Sequence, residues 1–340
     1  MMKIIVDVFS GDDPKALIRG TAAAVNVYPD VHFIMPGDPT CLERELAECD
    51  YDRSRLEILP ASEIIGNDES PTMAIRQKRD SSLVRGAALL RSDPEVGGMI
   101  SAGSTGAILC CGIFVVGRLR GIDRPALAPV LPTVNGGNVC LIDCGANADC
   151  RSEYLAQFAL LGTSLMRTLC KVDDPRVALV NVGVEGHKGN MLTSQTAALL
   201  SEMPVNFVGN MEARDALSGK YDVLVCDGFV GNVLLKSIEG TAANVASEMA
   251  EILRRKMPGG AAEELIAEAA HEVMRNYDYN SYGGAYLLGC RKPIEKIHGA
   301  SNERTIPYAV GQMRSMILAG LTESIASQLE EMSRGHGETR

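Results

Sequence analysis

Short apolar runs rich in β-branched residues alternate along the chain with longer amphipathic stretches. KIIVDV, residues 3–8, predicts a first strand, and a helix follows from Pro14 with Asp13 as its cap. VHFIMPG, LEILPAS and VGGMIS predict three more strands, separated by helices near residues 39–50 and 71–92. ALAPVLP, NVCLIDC, RVALVNVG, VNFVGN and YDVLVCDG predict another five. Most of these runs are continuously apolar, as in strands covered on both faces. Such strands alternating with helices predict an α/β fold with a largely parallel sheet, whose ligands bind beyond the carboxyl ends of the strands.

Residues 240–277 break this rhythm with two helix-length stretches and no strand between them. Val245, Met249, Ile252, Leu253 and Met257 mark one apolar face; Leu265, Ile266, Ala269 and Val273 mark the other. Pro258, Gly259 and Gly260 separate them, so a helical hairpin is expected. A closing helix is expected over residues 305–332 and a frayed tail over 333–340. No linker or repeat interrupts residues 1–332, which are expected to form one domain.

Composition narrows the function classes. Apolar residues make up 46% and charged residues 22% of 340, ordinary values for a globular protein. The longest apolar stretch, residues 107–117, falls well short of the ~20 residues a membrane span requires. The net charge of −10 argues against nucleic-acid binding. Ten cysteines include no Cys-x-x-Cys pair and no zinc set, so they are expected to be free, small hydrophobes. The chain therefore reads as cytoplasmic, without metal.

Three strand-like runs each end in Gly-x-x-Gly: Gly103/Gly106, Gly183/Gly186 and Gly228/Gly231. Glycine lets backbone approach a ligand closely, and a turn entering a helix presents N–H groups backed by the helix dipole. Three such turns on one sheet point to phosphate. Neither a P-loop nor a dinucleotide fingerprint occurs, so inorganic phosphate or an acyl phosphate is the expected ligand. Lys188, just past the second turn, would neutralise phosphate charge. Asn232, after the third, would offer an amide N–H to a developing oxyanion. Asp227 would orient donors, and His187 is a candidate base.

With these residues assembled, the chain resembles the bacterial phosphate acyltransferase family of phospholipid synthesis, commonly called PlsX. The resemblance runs from about residue 3 to 325 and is carried by RQKRDSSLVRG, SAGSTGA, VGRLRGIDRPALAPVLPTV, LIDCGANADC, GNMEARD, CDGFVGNVLLK and SYGGAYLLG. It implies transfer of an acyl group from acyl-[acyl-carrier protein] to orthophosphate by a homodimeric α/β/α fold. That fold is related to phosphotransacetylases and isocitrate-dehydrogenase-like enzymes and works without metal or organic cofactor. It also implies peripheral action at the inner face of the membrane, handing acyl phosphate to a membrane glycerol-3-phosphate acyltransferase. Lys188 and Asn232 fall on positions the family uses for catalysis.

Alongside them, the candidate phosphate- and substrate-binding set comprises Asp7, Gly11, Asp12, Ser101, Gly103, Ser104, Thr105, Gly106 and Asn147. Gly183, His187, Gly189, Asn190, Asp227, Gly228 and Gly231 complete it. The sequence departs from the family at Ser10, Ser104, Val184 and His187, which touches the site more than the reaction class. Carrier protein is acidic, so Arg76 with Arg79, or Arg118 with Arg120 and Arg124, are candidate docks. Arg254, Arg255 and Lys256 beside Met257 suit an anionic membrane surface. Two other readings compete: a short-chain phosphotransacetylase using acyl-CoA, and a catalytically impaired scaffold of lipid synthesis.

Overall fold

The computed structural model describes residues 1–256, 263–269, 272 and 283–335. Its strands run β1 (Met2–Asp7), β2 (Val31–Gly37), β3 (Leu56–Pro60), β4 (Val96–Ser101), β5 (Ala126–Ala128), β6 (Val130–Pro132), β7 (Asn138–Ile142), β8 (Arg176–Asn181), β9 (Asn206–Glu212), β10 (Val223–Val225), β11 (Ala285–Leu288) and β12 (Ile294–Lys296). Its helices are α1 (Pro14–Val27), α2 (Pro39–Leu46), α3 (Pro71–Gln77), α4 (Ser82–Ser92), α5 (Thr105–Cys111), α6 (Ser152–Thr168), α7 (Met191–Glu202), α8 (Gly228–Lys256), α9 (Thr305–Leu318) and α10 (Leu321–Gly335).

The strands form two mostly parallel sheets where a single one was expected. The first has the order β3-β2-β1-β4-β12-β11-β5 and the second β6-β7-β10-β8-β9. The division falls inside ALAPVLP, which the apolar pattern reads as one strand. Pro129 has no N–H to continue a ladder, so β5 pairs with β11 in the first sheet and β6 with β7 in the second. The first glycine turn therefore belongs to one sheet, the second and third to the other.

Helices cover both faces of each sheet, giving α/β/α layers. Leu17, Ile18, Phe33, Met35 and Met313 pack one face of the first sheet under α1 and α9. Phe158, Leu161, Leu165, Val225 and Ile325 pack one face of the second under α6 and α10. Between the sheets, Ile5, Leu83, Met99, Ile108, Leu141, Leu224 and Leu234 form one continuous core. Each such side chain, fully buried, contributes roughly 1.5–3 kcal/mol over exposure. That shared core fixes the facing strand ends against each other.

Four further departures from the sequence pattern matter. The stretch 71–92 is two helices, because Ser81 Oγ accepts from Val84 N at 3.4 Å and starts α4 afresh. The closing helix breaks at Gly320, whose φ of +62° an L side chain rarely adopts, and its second half, α10, runs on to Gly335. The hairpin's first arm is the far half of α8, which starts at the third glycine turn. Strands β11 and β12 were not anticipated; they return the chain to the first sheet, with β12 parallel beside β4. The expected hairpin turn at Pro258–Gly260, with Met257 and Val273, lies outside the described residues. So do residues 336–340 of the tail.

Candidate active site

The third glycine turn is built on a buried carboxylate. Asp143, at the end of β7, accepts N–H groups of Leu127 (2.9 Å), Ala146 (3.2 Å) and Asn147 (2.6 Å) and the Asn147 amide (3.0 Å). Burial pushes its carboxyl above the usual range, against those donors. Gly228 and Gly231 lie on this loop: a β-carbon at Gly231 would stand 1.9 Å from the Asp143 carbonyl oxygen. Asp227 Oδ1 accepts from Val230 N at 2.8 Å, so Asp227 caps α8. Asn232, one residue beyond Gly231, is thereby turned toward Gly145, its Cβ 3.6 Å from where a β-carbon would stand there. It is not the helix cap.

Several of the turn amides are engaged within the protein. Gly228 N donates to Asn147 O (2.7 Å) and Gly231 N to Asp227 O (3.0 Å). In the first turn Gly103 N donates to Ser101 Oγ (3.1 Å) and Ala107 N to Ser104 Oγ (3.3 Å), making Ser104 the cap of α5. Asp7 is buried and receives Ser10 Oγ (2.8 Å) and Ser101 Oγ (2.7 Å), so these residues hold the β1 and β4 ends together beneath the surface. Burial raises the Asp7 carboxyl above its ordinary value. Asn147 is likewise occupied, its amide donating to Pro125 O at 2.9 Å. Gly11 packs on Leu17 and Ala102, and Asp12 N donates to Gly299 O (2.9 Å). Gly106 packs on Pro71.

The second turn is an exposed, pinned loop. Lys188 O accepts from Asn181 Nδ2 (3.1 Å), Glu185 O accepts from Asn210 Nδ2 (3.1 Å), and Gly189 has φ +109°. Buried Gly183 sits against the Lys188 stem. Asn190 caps α7 by accepting from Thr193 N at 2.9 Å. His187 and Lys188 face solvent, and Lys188 makes no ion pair among the described residues.

A cleft of about 350 Å³ lies between the two sheets. Thr105 of the first turn and Asn232 of the third both line it; Lys188 does not. Its apolar wall includes Leu127, Pro129, Leu131, Leu235 and Ile238. Its polar wall adds Lys236, Glu239, Lys296, His298 and Cys144. The sequence reading missed Lys236, Lys296 and His298. Burial pulls Lys296 below the usual lysine range, with Lys236 acting the same way, and burial, Lys296 and Lys236 pull His298 down. Burial pushes Cys144 far up, so its thiolate is disfavoured.

The basic candidates separate by partner. Arg118 donates to the Asp123 carbonyl, Arg79 to Arg76 O (3.4 Å), and Arg76, Arg120 and Arg124 are exposed. Arg254 pairs with Glu263 at 2.9 Å, linking α8 to the helical stretch 263–269, while Arg255 and Lys256 are exposed. Among the described residues no helix is long and apolar enough to cross a membrane.

Against known proteins, a family model described as "Fatty acid synthesis protein" matches residues 2–324. A Bacillus cereus protein named phosphate acyltransferase is 41% identical over 333 residues, 98% of this chain and 99% of that one. Among solved structures, a Streptococcus pyogenes phosphotransacetylase superposes with TM-score 0.61 at 16% identity, covering 95% of this chain and 94% of that one. An Enterococcus faecalis branched-chain phosphotransacylase gives 0.58 at 12%, covering 93% and 99%. At these identities the structures speak for the fold.

Proposed function

We infer the reaction from kinship and cleft together: the chain belongs to the fatty acid synthesis protein family and is an acyltransferase that moves an acyl group onto phosphate for lipid synthesis. The observation that carries this reading is Asn232 standing in a cleft lined both by apolar side chains and by Lys236, Lys296 and His298. The apolar wall receives the acyl thioester. A phosphate oxygen attacks the carbonyl carbon and forms the new C–O bond. Asn232 donates to the tetrahedral oxyanion, which collapses as the C–S bond breaks. The thiolate leaves and takes a proton from water. Alignment of the two reactants in one cleft supplies up to ~7–11 kcal/mol of the barrier. Lys188, on the strand end next to that of Asn232, adds positive charge at the rim.

The acyl donor we propose is acyl-[acyl-carrier protein], an acidic partner that exposed Arg76, Arg120 and Arg124 suit. The protein we propose is a homodimer: Val245, Met249, Leu253 and Leu265 expose apolar surface on the hairpin, and Val182, Val184, Met191 and Phe229 do so around the second and third turns. A second copy would cover such surface. Arg255 and Lys256 near the hairpin tip support cytoplasmic action against an anionic membrane face, supplying a membrane glycerol-3-phosphate acyltransferase. The deciding experiment measures phosphate-dependent release of free carrier thiol from acyl-[acyl-carrier protein] and, in parallel, from acetyl-CoA. Release from the carrier substrate alone supports this reading; release from acetyl-CoA alone would make it a phosphotransacetylase, and release from neither a scaffold.

A further inference from the structure

Three cationic or proton-donating groups converge on the cleft from separate parts of the chain. Lys236 follows Asn232 by four residues on α8, so both share one helix face. Lys296 ends β12, where it is paired in register with Ser101 at the end of β4. The same rim carries the first glycine turn, and ligands of parallel sheets bind at such carboxyl ends. His298 follows two residues later, and its Nδ1 accepts from Ala300 N at 3.1 Å. All three line the same cleft as Asn232 and Thr105.

The charges of the two lysines are incompletely compensated. Lys296 Nζ donates to the Ile297 carbonyl at 3.1 Å, which carries no formal charge, and Lys236 makes no ion pair among the described residues. The acidic groups facing them are Glu239 in the cleft wall and Asp12, which acts on Lys296 and His298. Lys236 disfavours the ammonium form of Lys296. Two ammonium groups lining one cleft are relieved by an anion between them.

We propose that Lys236 and Lys296, with His298 and the Thr105 hydroxyl beside them, form the seat of the attacking inorganic phosphate. This rests on the acyl-transfer reading and assigns the nucleophile its binding groups. Phosphate held there shares the cleft with Asn232 and with the apolar side chains that take the thioester. Lysine suits this role as a compact charge on a flexible stem.

The test is calorimetric titration of the full chain with inorganic phosphate, without acyl donor, for wild type, Lys236→Gln, Lys236→Arg and Lys296→Gln. It is paired with steady-state KM values for phosphate and for acyl donor. Phosphate binding and phosphate KM are expected to weaken by about tenfold or more in Lys236→Gln, the effect of losing roughly one charge-assisted contact. Lys236→Arg should recover part of the loss, and the acyl-donor KM should stay within about twofold, since uniform phosphate binding alone is lost. Lys236 is exposed, so its variants serve even if Lys296→Gln fails to fold. Unchanged phosphate affinity in Lys236→Gln, or an equal rise in both KM values, overturns the assignment. Because titration needs no turnover, an inactive wild type that still binds phosphate through Lys236 would sink the acyl-transfer reading while leaving the seat intact.

Discussion

Gly231 rests directly on the carbonyl oxygen of Asp143, so close that a β-carbon there would lie 1.9 Å from it. That contact sets where α8 begins and therefore where Asn232 points. Gly231→Ala is expected to cost about 1–3 kcal/mol through overpacking and to lower turnover as the helix start is pushed off the Asp143 loop. Urea unfolding and kcat, measured together, check this. A variant with wild-type stability and rate would show that the contact is dispensable.

Asn232→Ala should reduce kcat by about 10²–10³, the usual loss for one oxyanion donor, with little change in KM. Lys188→Ala should lower kcat/KM by at least about tenfold through lost rim charge, a loss that shrinks as added salt screens it. Steady-state assays over a salt series separate a contact from a field effect. A Lys188 variant with wild-type kinetics removes that residue from the site.

Burial drives the thiols of Cys144 and Cys226 far above their ordinary value, Cys144 in the cleft lining and Cys226 in the core between the sheets. A thiol so placed is a poor nucleophile. Cys144→Ala and Cys226→Ala are therefore expected to turn over within about an order of magnitude of wild type, which accords with direct attack by phosphate. Mass spectrometry of enzyme quenched during turnover should find no acyl thioester on either residue.

Glu295 is buried with both carboxylate oxygens unpartnered among the described residues, and burial raises its carboxyl well above the usual range. Between ~4.3 and that raised value the folded state holds a proton that the unfolded state has released, so stability falls as pH rises across this window. Glu295→Gln removes that loss. Its stability relative to wild type is expected to be greater at about pH 8 than at about pH 5, read from denaturant midpoints. An equal difference at both pH values would mean the carboxyl titrates normally in the fold.

Reversing charge at Arg120 and Arg124 should raise KM for acyl-[acyl-carrier protein] at least about fivefold and leave KM for phosphate alone, since rim charges act chiefly on encounter. Arg118 is the weaker test, because it already donates to the Asp123 carbonyl. An unchanged carrier KM would move the dock to the Arg76 and Arg79 surface.

Much of this protein is written locally. The apolar runs of β1, β2, β7, β8 and β10 are legible because strands covered on both faces must be apolar throughout, and Asp13 and Pro14 mark the start of α1 by local hydrogen bonding and fixed φ. The glycine turns and Asn232 stand out for the same reason: their backbone demands are met by residue type. What was invisible depends on partners distant in the chain. Pro129 divides two sheets only because β11 returns after the hairpin to pair with β5. Strand β12 has three residues and a buried glutamate, too short and too polar to reveal itself, yet it brings Lys296 and His298 to the rim. Whether a turn's amides meet a ligand or a neighbouring carbonyl is equally a matter of what packs against them. Residue type and spacing thus settled the fold class and pointed to a phosphate ligand, and the family resemblance supplied the reaction, while the make-up of the cleft was decided by long-range pairing, because no local propensity encodes which strand ends will face each other.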